Sequence, residues 1–123
     1  MARNFAANGM KNYLYSFDGK VEAPIIASLA DRSFHSVDIP YVFGNDYILG
    51  KVPADGKALA TSVQNYWTNF AKTGDPNGGT EVTWPEYTAA GDQSLTLATT
   101  VKAGAGLKKE LCDFWDGVPV PFP

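Results

Sequence analysis

One stretch of the sequence has the apolar spacing of a long amphipathic helix, and it limits the possible folds more than any other feature. Between residues 57 and 73 the apolar side chains recur at helical spacing, at Leu59, Val63, Tyr66, Trp67 and Phe70. Such a stripe predicts a helix that buries one face against a core. Asp55 is the predicted N-cap. Gly74 and Pro76 predict the end of the helix, because glycine suits the left-handed C-cap and proline prevents continuation.

Two short segments have the composition of β-strands. Asn12–Phe17 is aromatic and bounded by polar residues, and its apolar content predicts a buried strand. Ser94–Val101 partly alternates between apolar and polar side chains, which predicts a second strand. Leu107–Trp115 is expected to form a short helix with its apolar side chains on one side. Residues 103–106, just before this helix, are expected to be a flexible joint.

The remaining segments are rich in proline and polar residues. Lys20–Ser33 is interrupted by a proline and is predicted to be a loop. Asp38–Gly44 is predicted to be a turn or a short helix entered at Ile39–Pro40, because proline suits a first helical turn. Residues 81–87 and the proline-rich tail, residues 117–123, are predicted to be extended.

The composition argues against several classes of function. The 123 residues carry a formal net charge of -3 at pH 7, and their lysines and arginines are scattered. Because nucleic-acid binding requires a basic surface, no nucleic-acid partner is expected. No run approaches the roughly 20 apolar residues of a membrane-spanning helix, so no membrane partner is expected. The N-terminus lacks the apolar run of a signal peptide, so the chain as written is expected to be cytoplasmic, unless its natural start lies upstream.

The sequence also lacks the residue spacings that are typical of metal and cofactor sites. No Cys/His pair has zinc-ligand spacing, and calcium-loop spacing is absent. Residues 103–108 resemble a phosphate-binding loop only faintly, because the first glycine and the Ser/Thr after lysine are missing. We therefore expect no metal and no cofactor. Cys112, the single cysteine, is expected to be a buried free thiol.

His35 is the only histidine in the chain, and it precedes an apolar run that ends at Gly44. Imidazole is the side chain best suited to exchange a proton near neutral pH. On composition alone, a lone loop histidine is more often a structural or surface residue than a catalytic one. The segments around it and elsewhere in the chain change that interpretation.

Four segments, in the same order along the chain, are similar to segments of type-B carboxylesterases, the α/β-hydrolase family that includes the cholinesterases. Residues 13–17 resemble a late strand of the hydrolase sheet, and residues 35–44 are similar to the segment that holds the catalytic histidine. Residues 66–78, together with Trp84-Pro85-Glu86-Tyr87, are similar to a highly specific family signature, and residues 107–115 resemble the closing helix. The whole chain, residues 1–123, is thereby identified as the C-terminal part of a carboxylesterase type-B domain.

This resemblance implies the α/β fold class, with a C-terminal segment of an α/β-hydrolase sheet that is incomplete as a domain. The expected elements are two or three strands, one long helix and one short C-terminal helix. The implied function is that of a serine carboxylic-ester hydrolase acting on a small-molecule ester. His35 is its expected general base, which takes the serine proton and returns it to the leaving alcohol, while an acidic residue on a separate loop holds the imidazole tautomer.

The residues near His35 have two possible roles each. Asp38 matches an acidic position of the family and belongs either to the surrounding hydrogen-bond network or to an N-cap before Ile39; it is not assigned as the triad acid. Phe34, Tyr41 and Phe43 are expected to pack the loop or, alternatively, to line an acyl or alcohol pocket.

The chain departs from the family pattern in two respects. Family enzymes carry the nucleophile in a Gly-x-Ser-x-Gly turn, which does not occur in this sequence. The family order is serine, acid, histidine, so the nucleophile, the triad acid and the oxyanion loop are expected upstream of Met1. The isolated chain is therefore expected to be inactive on esters. In addition, Ser33-Phe34 precede His35 where relatives usually have small residues.

Two other interpretations of the function stay open. In the first, the chain is a non-catalytic interaction or adhesion module. In the second, it is a miniature hydrolase that uses Ser33 or Ser36 as its nucleophile, although Ser36 directly follows His35 and the two side chains would have difficulty meeting. A partner chain is also expected: the strand at residues 13–17 would normally lie inside a larger sheet, and exposed strand edges favour a homo-oligomer or a complementing chain.

Overall fold

The computed structural model describes residues 1–22, 27–29, 32–46, 50–79 and 81–119. The helices are α1 (Ala2–Ala7), α2 (Ile39–Phe43), α3 (Lys57–Thr73) and α4 (Lys109–Asp116), and the strands are β1 (Tyr15–Phe17), β2 (Gln93–Leu97) and β3 (Lys102–Ala105). Two short 3-10 turns cover Ala27–Leu29 and Ala54–Gly56. The residues described in this way form an α/β arrangement, in which helices accompany a small mixed sheet.

Helix α3 has the bounds that the sequence pattern predicts. Leu59, Ala60, Val63 and Tyr66 are buried on its inner face. Gly74 ends it in the left-handed conformation at φ 73°, and its N–H donates to the Phe70 carbonyl at 2.8 Å. This confirms the predicted glycine cap.

The predicted start of α3 is wrong in one detail. Asp55 is not the N-cap; it lies within the 3-10 turn, and Gly56 occupies the cap position without a side chain. The turn leads directly into the helix, and the Gly56 N–H donates to the Pro53 carbonyl at 3.0 Å. A Cβ on Gly56 would lie 2.7 Å from the Tyr41 hydroxyl oxygen. The close approach of α2 therefore determines how α3 begins.

The sheet has the order β1-β2-β3 within the described residues, with β1 parallel to β2 and β2 antiparallel to β3. β1 is shorter and only half-buried, whereas the sequence predicts a buried strand over residues 12–17. The second predicted strand ends at Leu97 rather than Val101. β3 occupies Lys102–Ala105, most of the segment predicted to be a flexible joint. Its small side chains give no apolar signal, and backbone pairing with β2 defines it.

Trp84 is the centre of an aromatic cluster between the sheet and α3. Its rings lie near those of four other aromatic residues, Tyr13, Tyr15, Tyr66 and Trp67, at centroid distances of 5.4 to 6.0 Å. The indole Nε1–H donates to the Leu14 carbonyl at 3.1 Å. Because Trp84 is only 5% exposed, this hydrogen bond satisfies a donor that burial would otherwise leave without water.

Hydrogen bonds from the loop after α3 hold the extended segment that carries Trp84. Asn77 Oδ1 accepts from the Trp84 N–H at 2.7 Å, and Asn77 Nδ2 donates to the Trp84 carbonyl at 3.0 Å. Asp75 Oδ1 in turn accepts from the Asn77 backbone N–H at 2.9 Å. Asn77 Nδ2 also donates to Asp75 Oδ1, at 2.8 Å. The two hydrogen bonds that Asp75 accepts from Asn77 hold the pKa of its carboxyl below the ordinary value. The Asp-Pro-Asn loop after α3 is therefore a structural brace for the aromatic cluster.

The C-terminal helix corrects two further expectations. α4 begins at Lys109, two positions after the predicted Leu107, and Cys112 is an exposed free thiol rather than a buried one. Arg3 joins α1 to α4 through ion pairs with Asp113 at 2.7 Å and Asp116 at 2.6 Å. The apolar side chains of α4 are also exposed, because no described element covers them.

The other predicted segments are only partly described. The segment 20–33, predicted as a loop, contains the Ala27–Leu29 turn and a β-bridge between Glu22 and Lys51, while residues 23–26 and 30–31 lie outside the described residues. The predicted extended tail lies outside them from residue 120 onward. No helix in the described part of the chain is long and apolar enough to cross a bilayer.

Candidate active site

The candidate site lies at the carboxyl end of β1. Phe17 is the last residue of this strand and pairs in register with Leu97 of β2. The next N–H, that of Asp18, donates to the Leu97 carbonyl at 2.8 Å. Because β1 and β2 are parallel, their carboxyl ends meet at one edge, and open α/β sheets bind their ligands at such an edge.

The segment that carries His35 is tied to this edge by Ser33. The Ser33 hydroxyl donates to the Phe17 carbonyl at 2.9 Å. His35 follows two positions later, and two residues of extended chain span at most about 7 Å. The imidazole-bearing residue is therefore held near the end of β1.

The backbone around His35 forms a tight turn. The Val37 N–H donates to the Phe34 carbonyl at 3.1 Å, and Val37 itself is only 2% exposed. Phe34 packs against the hydrophobic core, as expected, whereas His35 is exposed. Core contacts on both sides thus hold the turn in place while the imidazole faces solvent.

Ser36 adopts an unusual backbone conformation in this turn. Its φ is 71°, in the left-handed region that favours glycine. A non-glycine residue held there costs of order 1–3 kcal/mol. We therefore expect Ser36→Gly to raise the free energy of unfolding by roughly 0.5–1 kcal/mol, since the added freedom of glycine in the unfolded chain offsets part of the gain.

Urea unfolding followed by circular dichroism measures the Ser36→Gly effect. Ser62→Gly is the matched control, because Ser62 lies inside α3, where glycine is expected to destabilise by about 0.5–1 kcal/mol. Equal destabilisation by both substitutions would show that the turn imposes no strain on Ser36.

Helix α2 follows the turn directly, as the proline at its first turn predicts. Asp38 occupies the N-cap position, but its side chain makes no capping bond. Burial raises the pKa of Tyr15, and the nearby negative charge of Asp38 raises it further. The Asp38 carboxylate therefore interacts electrostatically with Tyr15 of β1. No hydrogen bond within the described residues joins it to His35.

Tyr41 fastens α2 to the segment after β1. Its hydroxyl donates to the Lys20 carbonyl at 2.5 Å, and its ring packs edge-on against Phe17 with centroids 5.1 Å apart. Gln64 of α3 donates to the Tyr41 carbonyl at 3.1 Å. Tyr41 thus packs the loop as expected, but Phe43 does not: it is 72% exposed, because it projects from the outer side of α2.

Within the described residues, the imidazole of His35 has neither a serine nor a carboxylate within hydrogen-bond distance. The Ser33 hydroxyl is engaged by the strand, and Ser36 makes no side-chain hydrogen bond to His35 in this part of the chain. The arrangement is an exposed imidazole on a braced loop, which suits a proton acceptor for a group brought from another segment. The anchoring role of Ser33 has no signal in the sequence, since Phe17 is distant along the chain.

An apolar groove lies elsewhere on the molecule. It has a volume of about 450 Å³, and its lining includes Tyr13, Trp67, Phe70 and Trp84. His35 is not among its lining residues, so this groove is separate from the candidate catalytic edge.

Comparisons with known proteins agree on one family. A sequence model described as the carboxylesterase family matches residues 1–115. Carboxylesterase 4A of Bos taurus is 35% identical over 107 residues, which cover 87% of this chain and 19% of that protein. The medium-chain fatty acyl-CoA hydrolase precursor of Anas platyrhynchos is 32% identical over 117 residues, 94% of this chain and 21% of that protein. The acetylcholinesterase of Gallus gallus is 35% identical over 122 residues, 93% of this chain and 15% of that protein.

The alignments cover unequal shares of this chain and of its relatives. Each of the three alignments covers most of this chain, but the chain spans only 15% to 21% of the length of these relatives. The similarity therefore concerns a segment of a longer kind of protein.

Proposed function

Because the chain belongs to the carboxylesterase family, we propose that it supplies His35 as the general base of a serine carboxylic-ester hydrolase. The observation that carries this proposal is the placement of an exposed imidazole on a braced turn at the carboxyl edge of parallel strands. Catalytic groups of open α/β sheets belong at this edge. The family segment around residues 35–44 leads to the same residue.

The chemistry assigned to His35 is proton transfer. The imidazole accepts the proton of a serine hydroxyl as the serine attacks the ester carbonyl, and it later returns that proton to the leaving alcohol. A carboxylate hydrogen-bonded to the other ring nitrogen keeps the required tautomer. The serine, the carboxylate and the oxyanion donors come from polypeptide other than these 123 residues, either upstream in a longer chain or in a complementing chain.

This division of parts makes the isolated chain inactive. A base without a positioned serine has no nucleophile to activate, and the absence of oxyanion donors alone removes about 10²–10³ in rate. Purified chain is expected to hydrolyse a chromogenic short-acyl ester no faster than the same chain after denaturation.

The names of the relatives indicate the substrate class. One relative is named an acetylcholinesterase and another a medium-chain fatty acyl-CoA hydrolase precursor. We assign to this chain the hydrolysis of a small-molecule carboxylic ester, and the groups that select the acyl chain are expected in the other segments.

A replacement chimera tests the proposal. In the Gallus gallus acetylcholinesterase, the segment that this chain matches is exchanged for this chain, and hydrolysis of a chromogenic acetyl ester is measured. The chimera is expected to hydrolyse the ester, whereas the same enzyme lacking the segment is not. Circular dichroism and gel filtration establish that each protein is folded.

The alternative function gives a different result. A chimera that is folded and has the elution volume of the parent enzyme, yet is inactive, would contradict the catalytic proposal and favour a non-catalytic interaction module. Hydrolysis by the isolated chain that is lost on His35→Ala would contradict the assignment of the nucleophile to other polypeptide.

A further inference from the structure

Resting on the function proposed above, we propose that Ser33 is a positioning residue for His35, and that its hydroxyl orders the catalytic turn by binding the last carbonyl of β1. Neither the family resemblance nor the sequence pattern assigns this role.

The direction of the Phe17 carbonyl supports this role. The described peptide bonds include no cis bond, so the N–H and C=O of each peptide unit point in opposite directions. The Asp18 N–H points toward β2, where it donates to Leu97. The Phe17 carbonyl of the same peptide unit therefore points away from β2, to the outer edge of β1. Ser33 approaches the strand from this outer edge.

The outer edge of β1 has no neighbouring strand among the described residues. A strand there would have to satisfy the Phe17 carbonyl, and the Ser33 hydroxyl takes that position instead. The carbonyl is itself rigid, because the Phe17 pairing with Leu97 and the Asp18 bond hold its peptide unit in the sheet. Ser33 is therefore attached to a fixed point of the sheet.

His35 lies between this attachment and a second one. Two positions before it, Ser33 is bonded to the strand; two positions after it, Val37 is buried in the core. If the Ser33 bond is removed, the chain before His35 keeps, within the described residues, the core packing of the partly buried Phe34 but loses its bond to the strand, so His35 gains freedom to move. A misplacement of about 1 Å can cost a large factor in rate.

The alternative is that the hydroxyl only satisfies a carbonyl, with no effect on His35. Activity of the chimera described above separates these roles, with Ser33→Ala as the test variant, Ser33→Thr as the conservative one, and Ser28→Ala as the control. Ser28 is exposed and belongs to the same connecting segment. We expect Ser33→Ala to lower kcat about 3- to 10-fold, the rate equivalent of one hydrogen bond, with KM unchanged. Ser33→Thr is expected to restore most of kcat, and Ser28→Ala to leave it unchanged.

A second measurement uses the chain itself. Because His35 is the only histidine, labelling histidine alone with ¹⁵N gives one backbone amide signal that needs no assignment. NMR relaxation of the His35 backbone amide is expected to give an order parameter S² near 0.85 in the unchanged chain and of about 0.6 or lower in Ser33→Ala. Ser28→Ala is expected to match the unchanged chain.

The results separate this inference from the proposed function. If His35→Ala inactivates the chimera but Ser33→Ala leaves both kcat and the order parameter of the His35 backbone amide unchanged, the positioning role is wrong and the catalytic role stands. If His35→Ala has no effect on activity, the catalytic role is wrong, and the positioning inference that rests on it is wrong as well. A loss of kcat that Ser33→Thr does not restore also contradicts the hydrogen-bond role. If the chimera does not fold, unchanged order in Ser33→Ala overturns the inference.

Discussion

Replacing His35 with alanine in the acetylcholinesterase chimera is expected to lower kcat/KM by about 10²–10⁴-fold. This is the usual contribution of a general acid–base residue. It is lost entirely because this chain supplies no other histidine that could take the proton. Hydrolysis of a chromogenic acetyl ester, measured at several substrate concentrations, gives the value. His35→Gln is expected to be as inactive as alanine, since an amide forms hydrogen bonds but carries no proton between the serine and the alcohol.

Arg32→Ala is the matched control for this experiment. Arg32 lies on the same exposed segment, and its backbone N–H donates to the Leu29 carbonyl at 3.0 Å. Its replacement is expected to leave kcat/KM within about threefold of the chimera, as for most surface substitutions. A His35→Ala chimera with the activity of the Arg32→Ala chimera would remove the basis for assigning His35 as the general base.

Replacing Trp84 with alanine is expected to lower the free energy of unfolding by about 3–5 kcal/mol, the typical cost of removing a buried large aromatic side chain. The substitution empties the centre of the aromatic cluster and leaves the Leu14 carbonyl without its indole donor. This loss is a large fraction of the stability of a small domain. Urea unfolding of the purified chain, followed by circular dichroism, measures the difference.

Trp115→Ala is the matched control, because Trp115 is 64% exposed on α4. Its removal is expected to change the stability by no more than about 0.5 kcal/mol. Trp84→Phe keeps an aromatic ring and loses the hydrogen bond, so an intermediate cost is expected, and it supplies a folded variant if the alanine protein does not fold. Equal costs for the Trp84→Ala and Trp115→Ala variants would contradict the placement of Trp84 in the core.

The helices were predictable to different degrees, for identifiable reasons. The periodic apolar residues and Gly74 act within a few positions of one another, and they predict the bounds of α3 correctly. The start of α2 at Ile39 follows from proline in the same local way. The N-cap at Asp55 was wrong because the contact between Gly56 and Tyr41, on another helix, controls that end. Local signals thus predict a helix until a neighbouring element reaches its terminus.

The strands were less predictable. Their bounds depend on which backbone lies alongside, and β3 pairs through residues such as Ala103 and Gly104 that carry almost no strand signal. Exposure of Cys112 and Phe43 had the same origin, since apolar character predicts burial only where another element covers the side chain. These features are properties of neighbours rather than of the residues themselves.

By itself, the sequence determined the long helix, its glycine end, the family of the chain and the identity of the candidate base, His35. All of these features depend on residue types at short, ordered spacings, which are present in the sequence itself. Only the tertiary structure decided that Ser33 bonds to Phe17, that Ser36 adopts a positive φ, and that the imidazole is left exposed at the carboxyl edge of the sheet. The Ser33 bond and the position of His35 require segments distant in the chain to meet, and the φ of Ser36 belongs to a turn whose flanking residues, Phe34 and Val37, pack at the core. Hydrogen bonds to backbone carbonyls leave no mark in the sequence at either end.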